Sequence, residues 1–168
     1  LSGEARTAVL VPVYNEDPQG VGAGITAMSK SLPRTGQAAS FDFFILSDTT
    51  DPDVWVREEE MWYSLSESLG AKERIFYRRR SSNTKRKSGN VANFCRRWGK
   101  LYRYMIVLDA DSVMSGDTLV RMVDAMEKNP SVGILQTPPK GANRETLIAR
   151  VQQFASSLYG PIFAAGQN

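Results

Sequence analysis

A short apolar run that ends abruptly in two aspartates constrains the fold more than any other stretch of the chain. Residues 104–108 are continuously apolar, which predicts a strand buried on both faces of a parallel sheet. Asp109 and Asp111 follow this run with one alanine between them. Because unpaired carboxylates are costly to bury, we expect both at the carboxyl end of the strand, the edge where open α/β sheets bind ligands.

Two carboxylates on the same side of a strand end repel each other unless a cation lies beside them. Oxygen ligands suit a hard ion, so the spacing predicts a site in which Asp109 and Asp111 bind Mg²⁺ or Mn²⁺. A second interpretation stays open at this point, in which the strand simply ends here and an aspartate caps the next helix.

Apolar runs and helical patterns alternate along the remaining sequence. Strands are predicted over residues 7–14, 41–46, 74–77, 104–108 and 132–137. Helices are predicted over residues 21–32, 52–69, from after 90 to about 99, 116–128 and 145–159. This alternation predicts an α/β fold, with a mostly parallel sheet flanked by helices and right-handed crossovers.

The chain contains no histidine, which excludes Ser-His-Asp and Cys-His triads and any histidine-ligated zinc site. Its single cysteine, Cys95, excludes an internal disulfide. Chemistry here must therefore depend on carboxylates, lysine or tyrosine. Neither Leu1 nor Asn168 looks like a natural end, so we expect residues 1–168 to be one portion of a single domain in a longer protein.

Polar clusters follow three of the predicted strands, at Tyr14-Asn15-Glu16, at Asp48 and at Asp109 with Asp111. A segment with six basic residues and no acidic one lies between Arg78 and Lys87. Carboxylates, a metal and a lysine at one sheet edge suit a nucleotide diphosphate. The chain has no glycine-rich phosphate loop, so the phosphates must be held differently.

Five motifs along the chain carry a resemblance to a known family, and they occur in that family's order and rough spacing. They are Pro12-Val13-Tyr14-Asn15-Glu16, Asp48, Lys87-Ser88-Gly89-Asn90, Asp109-Ala110-Asp111 and Gln136-Thr137-Pro138. Over nearly its whole length the chain resembles the family 2 glycosyltransferases. Within them it is similar to membrane-embedded processive synthases related to cellulose synthase, notably bacterial enzymes that make osmoregulated periplasmic glucans from UDP-glucose.

The resemblance implies a GT-A (Rossmann-like) fold, truncated before its acceptor half, that binds UDP-glucose. It places Tyr14 and Glu16 against the uridine, with Tyr14 stacking on the base. It gives Asp48 the role of accepting a hydrogen bond from the uracil N3–H. The resemblance therefore assigns the first two strand ends to the nucleoside.

The other motif residues are assigned to the phosphates and the sugar. Lys87, together with Asn90 and Asn93, is expected to approach the diphosphate. Asp109 and Asp111 are expected to hold the divalent metal and the ribose–diphosphate end. Gln136 is expected to line the floor near the sugar or the acceptor.

The family's catalytic base belongs to a later motif, to which no residue of this chain corresponds. We therefore expect the base downstream of Asn168 and no catalytic residue within this fragment, which alone should make no glucan. The partners implied are a UDP-sugar and, in the full-length protein, a glucan acceptor, with no nucleic acid. Membrane segments outside this chain would place the domain on the cytoplasmic face of the bacterial inner membrane.

Two other functions remain open from the sequence. One is a nucleic-acid-binding module that uses the basic run from Arg78 to Lys87, with Phe76 and Tyr77 available for stacking. The other is a regulatory domain that binds a nucleotide but has lost catalysis. Strand-end carboxylates disfavour the first, because they repel phosphates unless a metal is bound.

Overall fold

A four-stranded, entirely parallel sheet forms the centre of the fold. The computed structural model describes residues 5–137. The chain divides into two units, residues 1–130 and 131–168, and the first contains the sheet. The strand order is β3-β2-β1-β4. The strands are β1 (Thr7–Val13), β2 (Phe41–Ser47), β3 (Ile75–Arg79) and β4 (Tyr104–Val107). The predicted Rossmann-like α/β class, a mostly parallel sheet flanked by helices, is confirmed.

Four α-helices connect or follow these strands. They are α1 (Pro18–Ser31), α2 (Pro52–Ser68), α3 (Arg86–Trp98) and α4 (Gly116–Lys128). Helix α1 begins before the predicted residue 21 because Asp17 accepts hydrogen bonds from the Gln19 and Gly20 amides. The cap of α4 is Ser115, whose Oγ accepts from the Thr118 amide over 3.2 Å. The interpretation of Asp109 or Asp111 as a helix cap is therefore wrong.

The helices cover the two faces of the sheet unequally. One face carries Val9, Val11 and Ile45 and packs in one core cluster with α1, α2 and α4 residues. The other face carries Leu10 and Phe44 and packs against Phe94 and Trp98 of α3. Helix α3 thus crosses to the opposite face before β4 forms beside β1. This change of side creates a topological switch point between β1 and β4, where α/β sheets bind ligands.

A glycine of α1 lies in close contact with a side chain of α2. A Cβ added at Gly22 would lie 2.9 Å from the Met61 Cγ, closer than side chains tolerate. Glycines that weaken a helical pattern in the sequence therefore permit the close contact of two helices here.

Two predictions about strands are wrong. Strand β4 is not buried on both faces, because Met105 and Val107 are 42% and 41% exposed while Ile106 is buried. Residues 132–137 form no regular secondary structure, although their apolar run predicted a strand. The predicted helix at 145–159 lies outside the described residues.

None of the helices found between residues 5 and 137 combines the length and the apolar composition needed to cross a bilayer.

Candidate functional site

Backbone hydrogen bonds bring the carboxyl ends of the strands to one edge. The Leu108 amide donates to the Leu10 carbonyl over 2.9 Å, which continues the pairing of β1 with β4 to the residue before Asp109. The Asp48 amide donates to the Val13 carbonyl over 2.9 Å and continues the pairing of β1 with β2. Asp48, Asp109 and the residues after Val13 therefore leave the sheet side by side.

Asn15 links the loop after β1 to the loop after β2. Its backbone N–H donates to the Thr49 Oγ1. Its side-chain oxygen accepts from the backbone N–H groups of Thr50 and Asp51 at 3.2 and 3.3 Å. The residue adopts a φ of 52°, a left-handed conformation that asparagine tolerates well. This link fixes the backbone on which the half-exposed ring of Tyr14 is presented.

Helix α3 reaches the end of β4 through Lys87. The Lys87 Nζ donates to the Asp109 carboxylate, and both side chains remain solvent-accessible, at 47% and 72%. The first turn of α3 lies tightly against the preceding loop, since a Cβ on Gly89 would lie 2.1 Å from the Thr84 carbonyl oxygen. Lysine and aspartate, predicted to act together on a diphosphate, are thus neighbours in the fold.

Asp48 is paired rather than free. Arg80, which follows β3, donates from Nε and from a terminal nitrogen to the two carboxylate oxygens of Asp48, both at 2.6 Å. The Asp48 side chain is 5% exposed and the Arg80 side chain is 12% exposed. A carboxylate offers about four lone-pair sites, so this bidentate pair leaves acceptor capacity on Asp48 for a further donor.

Asn90 and Asn93 hold Arg78 inside the fold. Asn90 is fully buried, and its amide nitrogen donates to the Leu46 carbonyl over 2.9 Å while its oxygen accepts from Arg78 over 2.6 Å. The Asn93 oxygen accepts from the same guanidinium over 3.1 Å. These bonds fasten α3 to β2 and β3, and direct contact of Asn90 with a diphosphate stays a prediction.

A buried carboxylate, Glu58 of α2, supports the loop after β2. It accepts hydrogen bonds from Ser47 (2.7 Å), Thr49 (2.5 Å) and Tyr77 (2.9 Å), and it is 2% exposed. Burial raises the pKa of the Tyr77 hydroxyl, and the nearby Glu58 charge raises it further, so the hydroxyl stays protonated and donates. Ser47 and Thr49, which flank Asp48, are therefore both fixed by Glu58.

The donor set at the β4 end suits a metal shared with a substrate. Asp109 and Asp111 are both exposed, and no cluster of three or more metal-binding side chains occurs among residues 5–137. Mg²⁺ is ordinarily held by one or two carboxylates, with water and substrate phosphates completing its octahedral shell. Two accessible carboxylates fit that pattern, and the metal itself stays a prediction.

The structure brings four of the predicted site residues to the switch-point edge: Tyr14, Asp48, Lys87 and Asp109. Asp111 and Glu16 are exposed in the loops that follow β4 and β1. Gln136 is exposed and belongs to the second unit, and Pro138 lies outside the described residues. The ligand roles assigned to all these residues stay predictions.

Sequence reasoning missed two residues that organise this edge, namely Glu58 and Arg80, and it named Asn15 without its role of linking the two loops. The run of acidic residues at 58–60 is typical of a solvated helix face, but Glu58 shares a helical face with Met61 and Leu65 at spacings of i+3 and i+7. That periodicity was the signal for its burial. No comparable pattern singles out Arg80 within a run of six basic residues.

Comparisons with known proteins identify the family of the chain. The family described as "Glycosyl transferase family 2" matches residues 8–167. Proteins named "Glucans biosynthesis glucosyltransferase H" are 56% identical in Ralstonia nicotianae, over 97% of this chain, and 53% identical in Pseudomonas aeruginosa, over 99%. The chain spans 19% of the length of each of these relatives.

A solved structure is also similar, described as "Crystal structure of S. aureus TarS 1-349". Its TM-score is 0.43 at 13% identity, and the match covers 80% of this chain and 39% of that one. The family match over almost the whole chain, together with the identity to the two relatives, confirms the family predicted from the five motifs. The chain belongs to glycosyltransferase family 2.

Proposed function

We propose that this chain is the donor-binding portion of an inverting, UDP-glucose-dependent glucosyltransferase that builds the β-glucan backbone of osmoregulated periplasmic glucans. The observation that carries the proposal is the contact between Lys87 and Asp109 at the switch point of the sheet. It places a cation and a carboxylate together where α/β sheets bind nucleotides. A diphosphate bound with a divalent metal requires both charges.

Asp109 and Asp111 would hold Mg²⁺ or Mn²⁺, and the bound ion would supply positive charge to the diphosphate leaving group. Lys87 would then exchange its partner from Asp109 to a phosphate oxygen. Exposed ion pairs contribute only about 0–1 kcal/mol, and both members of this pair are exposed. The exchange therefore costs little, and Lys87 is available to the donor when the metal is present.

The nucleoside would lie against the ends of β1 and β2. Tyr14 is 52% exposed, so its ring can stack on the uracil, with Glu16 beside the uridine. Asp48 would accept from the uracil N3–H with the lone pairs that Arg80 leaves unused. The network of Glu58, Ser47 and Thr49 holds this carboxylate in place, so the base would meet a preorganised acceptor.

The activity of the whole protein belongs to the same proposal, because the chain spans 19% of its relatives. That protein would bind a glucan acceptor and would contain membrane segments and a catalytic base downstream of Asn168. Gln136 would line the floor of the site near the sugar or the acceptor. The domain would face the cytoplasm at the inner membrane.

Calorimetric titration of UDP tests the donor site. With Mg²⁺ or Mn²⁺ we expect binding, and with EDTA we expect little, since Asp109 and Asp111 alone repel a diphosphate. Asp111→Asn should weaken metal-dependent binding roughly ten- to hundredfold, the effect of losing a charged contact of about 1.5–3 kcal/mol.

Asp117→Asn is the matched control, because Asp117 is an exposed aspartate in the first turn of α4. It removes the same charge from a neighbouring element and should leave the affinity for UDP unchanged. Equal affinity for UDP with metal and with EDTA would show that the assignment of a metal to Asp109 and Asp111 is wrong.

A further inference from the structure

A polar cleft, here called the β3 cleft, lies beside the edge strand β3 on the side of α3. It has a volume of about 310 Å³ and is formed by the end of β3, residues 80–84 and α3. Four arginines line it: Arg78, Arg79, Arg80 and Arg97. In the strand order, β2 and β1 separate β3 from β4. At about 4.8 Å between neighbouring strands, β3 is roughly 14 Å from the strand that leads to Asp109.

Aromatic rings lie against arginine side chains of the β3 cleft, and carboxylates neutralise only part of its positive charge. The Arg79 Cζ lies 3.6 Å from the centroid of the Trp55 ring, and the Arg97 Cζ lies 5.8 Å from that of Trp98. Within residues 5–137, Arg80 is the one of these four arginines that forms a salt bridge with a carboxylate. No carboxylate from the described part of the chain lines the cleft itself. Like charges gathered in this way favour the binding of an anion.

Arg78 is the most constrained of the four arginines. Its terminal nitrogens donate to neutral amide oxygens of Asn90 and Asn93, and its Nε is buried with no hydrogen-bond partner. Burial lowers the pKa of Arg78, and repulsion from Arg80 lowers it further. Asp48 offsets part of this effect, and a guanidinium that is fixed in place and partly desolvated is stabilised further when an anion approaches it.

The remaining groups of the β3 cleft are also hydrogen-bond donors. Ser82 and Thr84 line it, and their hydroxyls lie 2.8 Å apart. Guanidinium forks match phosphoryl oxygens in two-point contacts, and hydroxyls complete such shells. The volume is at the lower end of ligand pockets, which start at about 300 Å³. It suits one or two phosphoryl groups rather than a polymer.

We propose that the β3 cleft binds a phosphoryl group, separately from the metal and diphosphate at the β4 end. The group could be a free phosphate or diphosphate anion, or the headgroup of an anionic phospholipid, since both present the same oxygens. The cleft adjoins the proposed uracil contact, because Arg80 also pairs with Asp48, but the proposal goes beyond the donor site and does not need the metal at the β4 end.

Titration with pyrophosphate in EDTA, at ionic strength held constant with NaCl, tests the β3 cleft without the metal that the donor site needs. We expect Arg97→Gln to weaken binding roughly tenfold, the loss of a charge-assisted contact. Arg96→Gln is the matched control, because Arg96 is the adjacent exposed residue of α3 and does not line the cleft. It should change the affinity by less than about threefold, because an exposed charge that makes no direct contact with the anion contributes little.

Vesicles of phosphatidylglycerol, compared with phosphatidylcholine, distinguish the two sources of the phosphoryl group. Binding of pyrophosphate that depends on Arg97 assigns the β3 cleft to a free anion. Binding to phosphatidylglycerol alone, with the same dependence, assigns it to a headgroup. The proposal is overturned if neither binds, if Arg96→Gln and Arg97→Gln weaken binding equally, or if only a single-stranded oligonucleotide binds through Arg97.

Metal-dependent binding of UDP is measured on the same two variants. We expect both to retain it, because neither residue lies at the β4 end. Loss of the pyrophosphate site with UDP binding retained would then concern the β3 cleft alone. Failure of UDP binding in the parent chain, with the pyrophosphate site retained, would concern the donor site alone.

Discussion

The Asp48 carboxylate accepts two hydrogen bonds from Arg80 and is also the group that we propose contacts uracil. Asp48→Ala removes the acceptor for N3–H, so the preference for UDP over ADP should fall roughly ten- to hundredfold. Competition binding of the two nucleotides measures this ratio. Asp51→Ala, in the same loop, removes the side chain that caps α2 but should keep the preference for UDP over ADP. An unchanged ratio in Asp48→Ala would contradict the uracil assignment.

The same substitution has a separate effect on stability. It leaves Arg80 almost buried without its carboxylate, and breaking a buried pair from one side costs about 3–5 kcal/mol. Circular dichroism at the assay temperature must therefore show that Asp48→Ala is folded before its binding is interpreted.

Glu58 is a second residue whose environment predicts a measurable effect. Glu58→Ala removes the acceptor of three hydroxyl groups and should lower the free energy of unfolding by about 3–5 kcal/mol. Glu59→Ala removes the same charge from the adjacent exposed position and should change it by less than about 0.5 kcal/mol. Urea denaturation measures both variants. Equal midpoints would show that the Glu58 network contributes nothing to stability.

The difference between Glu58 and Glu59 illustrates what could and could not be predicted from the sequence at this scale. Polarity indicates which residues follow a strand, so Asp48, Asp109 and Asp111 were placed correctly at strand ends. It does not indicate which side chain satisfies a buried carboxylate, because that depends on elements far apart in sequence. Arg80 and Tyr77, the partners of Asp48 and Glu58, come from the residue after β3 and from β3 itself, 32 and 19 residues later in the chain.

At the scale of elements, α3 connects the two proposed sites. Lys87 in its first turn contacts Asp109, and Arg97 near its end lines the β3 cleft. Buried Asn90 between them fastens the helix to Leu46. The helix therefore determines the position of a cation relative to the β4 end.

Lys87→Met tests this role of α3. The exposed pair with Asp109 contributes about 0–1 kcal/mol, so the free energy of unfolding should change by no more than that. Metal-dependent affinity for UDP should fall roughly tenfold, because a charged contact to the diphosphate is lost. Lys100→Met, just after α3, removes the same charge at the far end as the control. Equal affinities in the two variants would exclude a direct contact of Lys87 with the diphosphate.

Element prediction from the sequence succeeded where caps and apolar runs agreed. Helix α2 begins after Asp51 and ends before Gly70, as its Asp-Pro start and glycine stop indicate. Prediction failed at residues 132–137, whose apolar side chains are largely exposed. An apolar run forms a strand only when a neighbouring strand pairs with it. The hydrophobic pattern of the run does not indicate whether such a partner exists.

At the scale of the whole molecule, the order of the strands in space differs from their order in the chain. Strand β1 lies inside the sheet and pairs on one edge with β2 and on the other with β4. Thr7 thus meets Tyr104 almost a hundred residues later in the chain. The first three strands with α1 and α2 can assemble earlier, and the last pairing completes the sheet.

This order of pairing has a consequence for synthesis on the ribosome. At about 5–20 residues per second, β1 waits roughly 5 to 20 s for its second partner. During that time a continuous apolar strand has an open edge, which is a template for association with another chain. We expect truncated chains released at residue 98 to aggregate or bind chaperones, and those released at residue 130 to be protected from both. Light scattering and pull-down of the released chains would measure this, and equal behaviour of the two lengths would exclude the open edge as the cause.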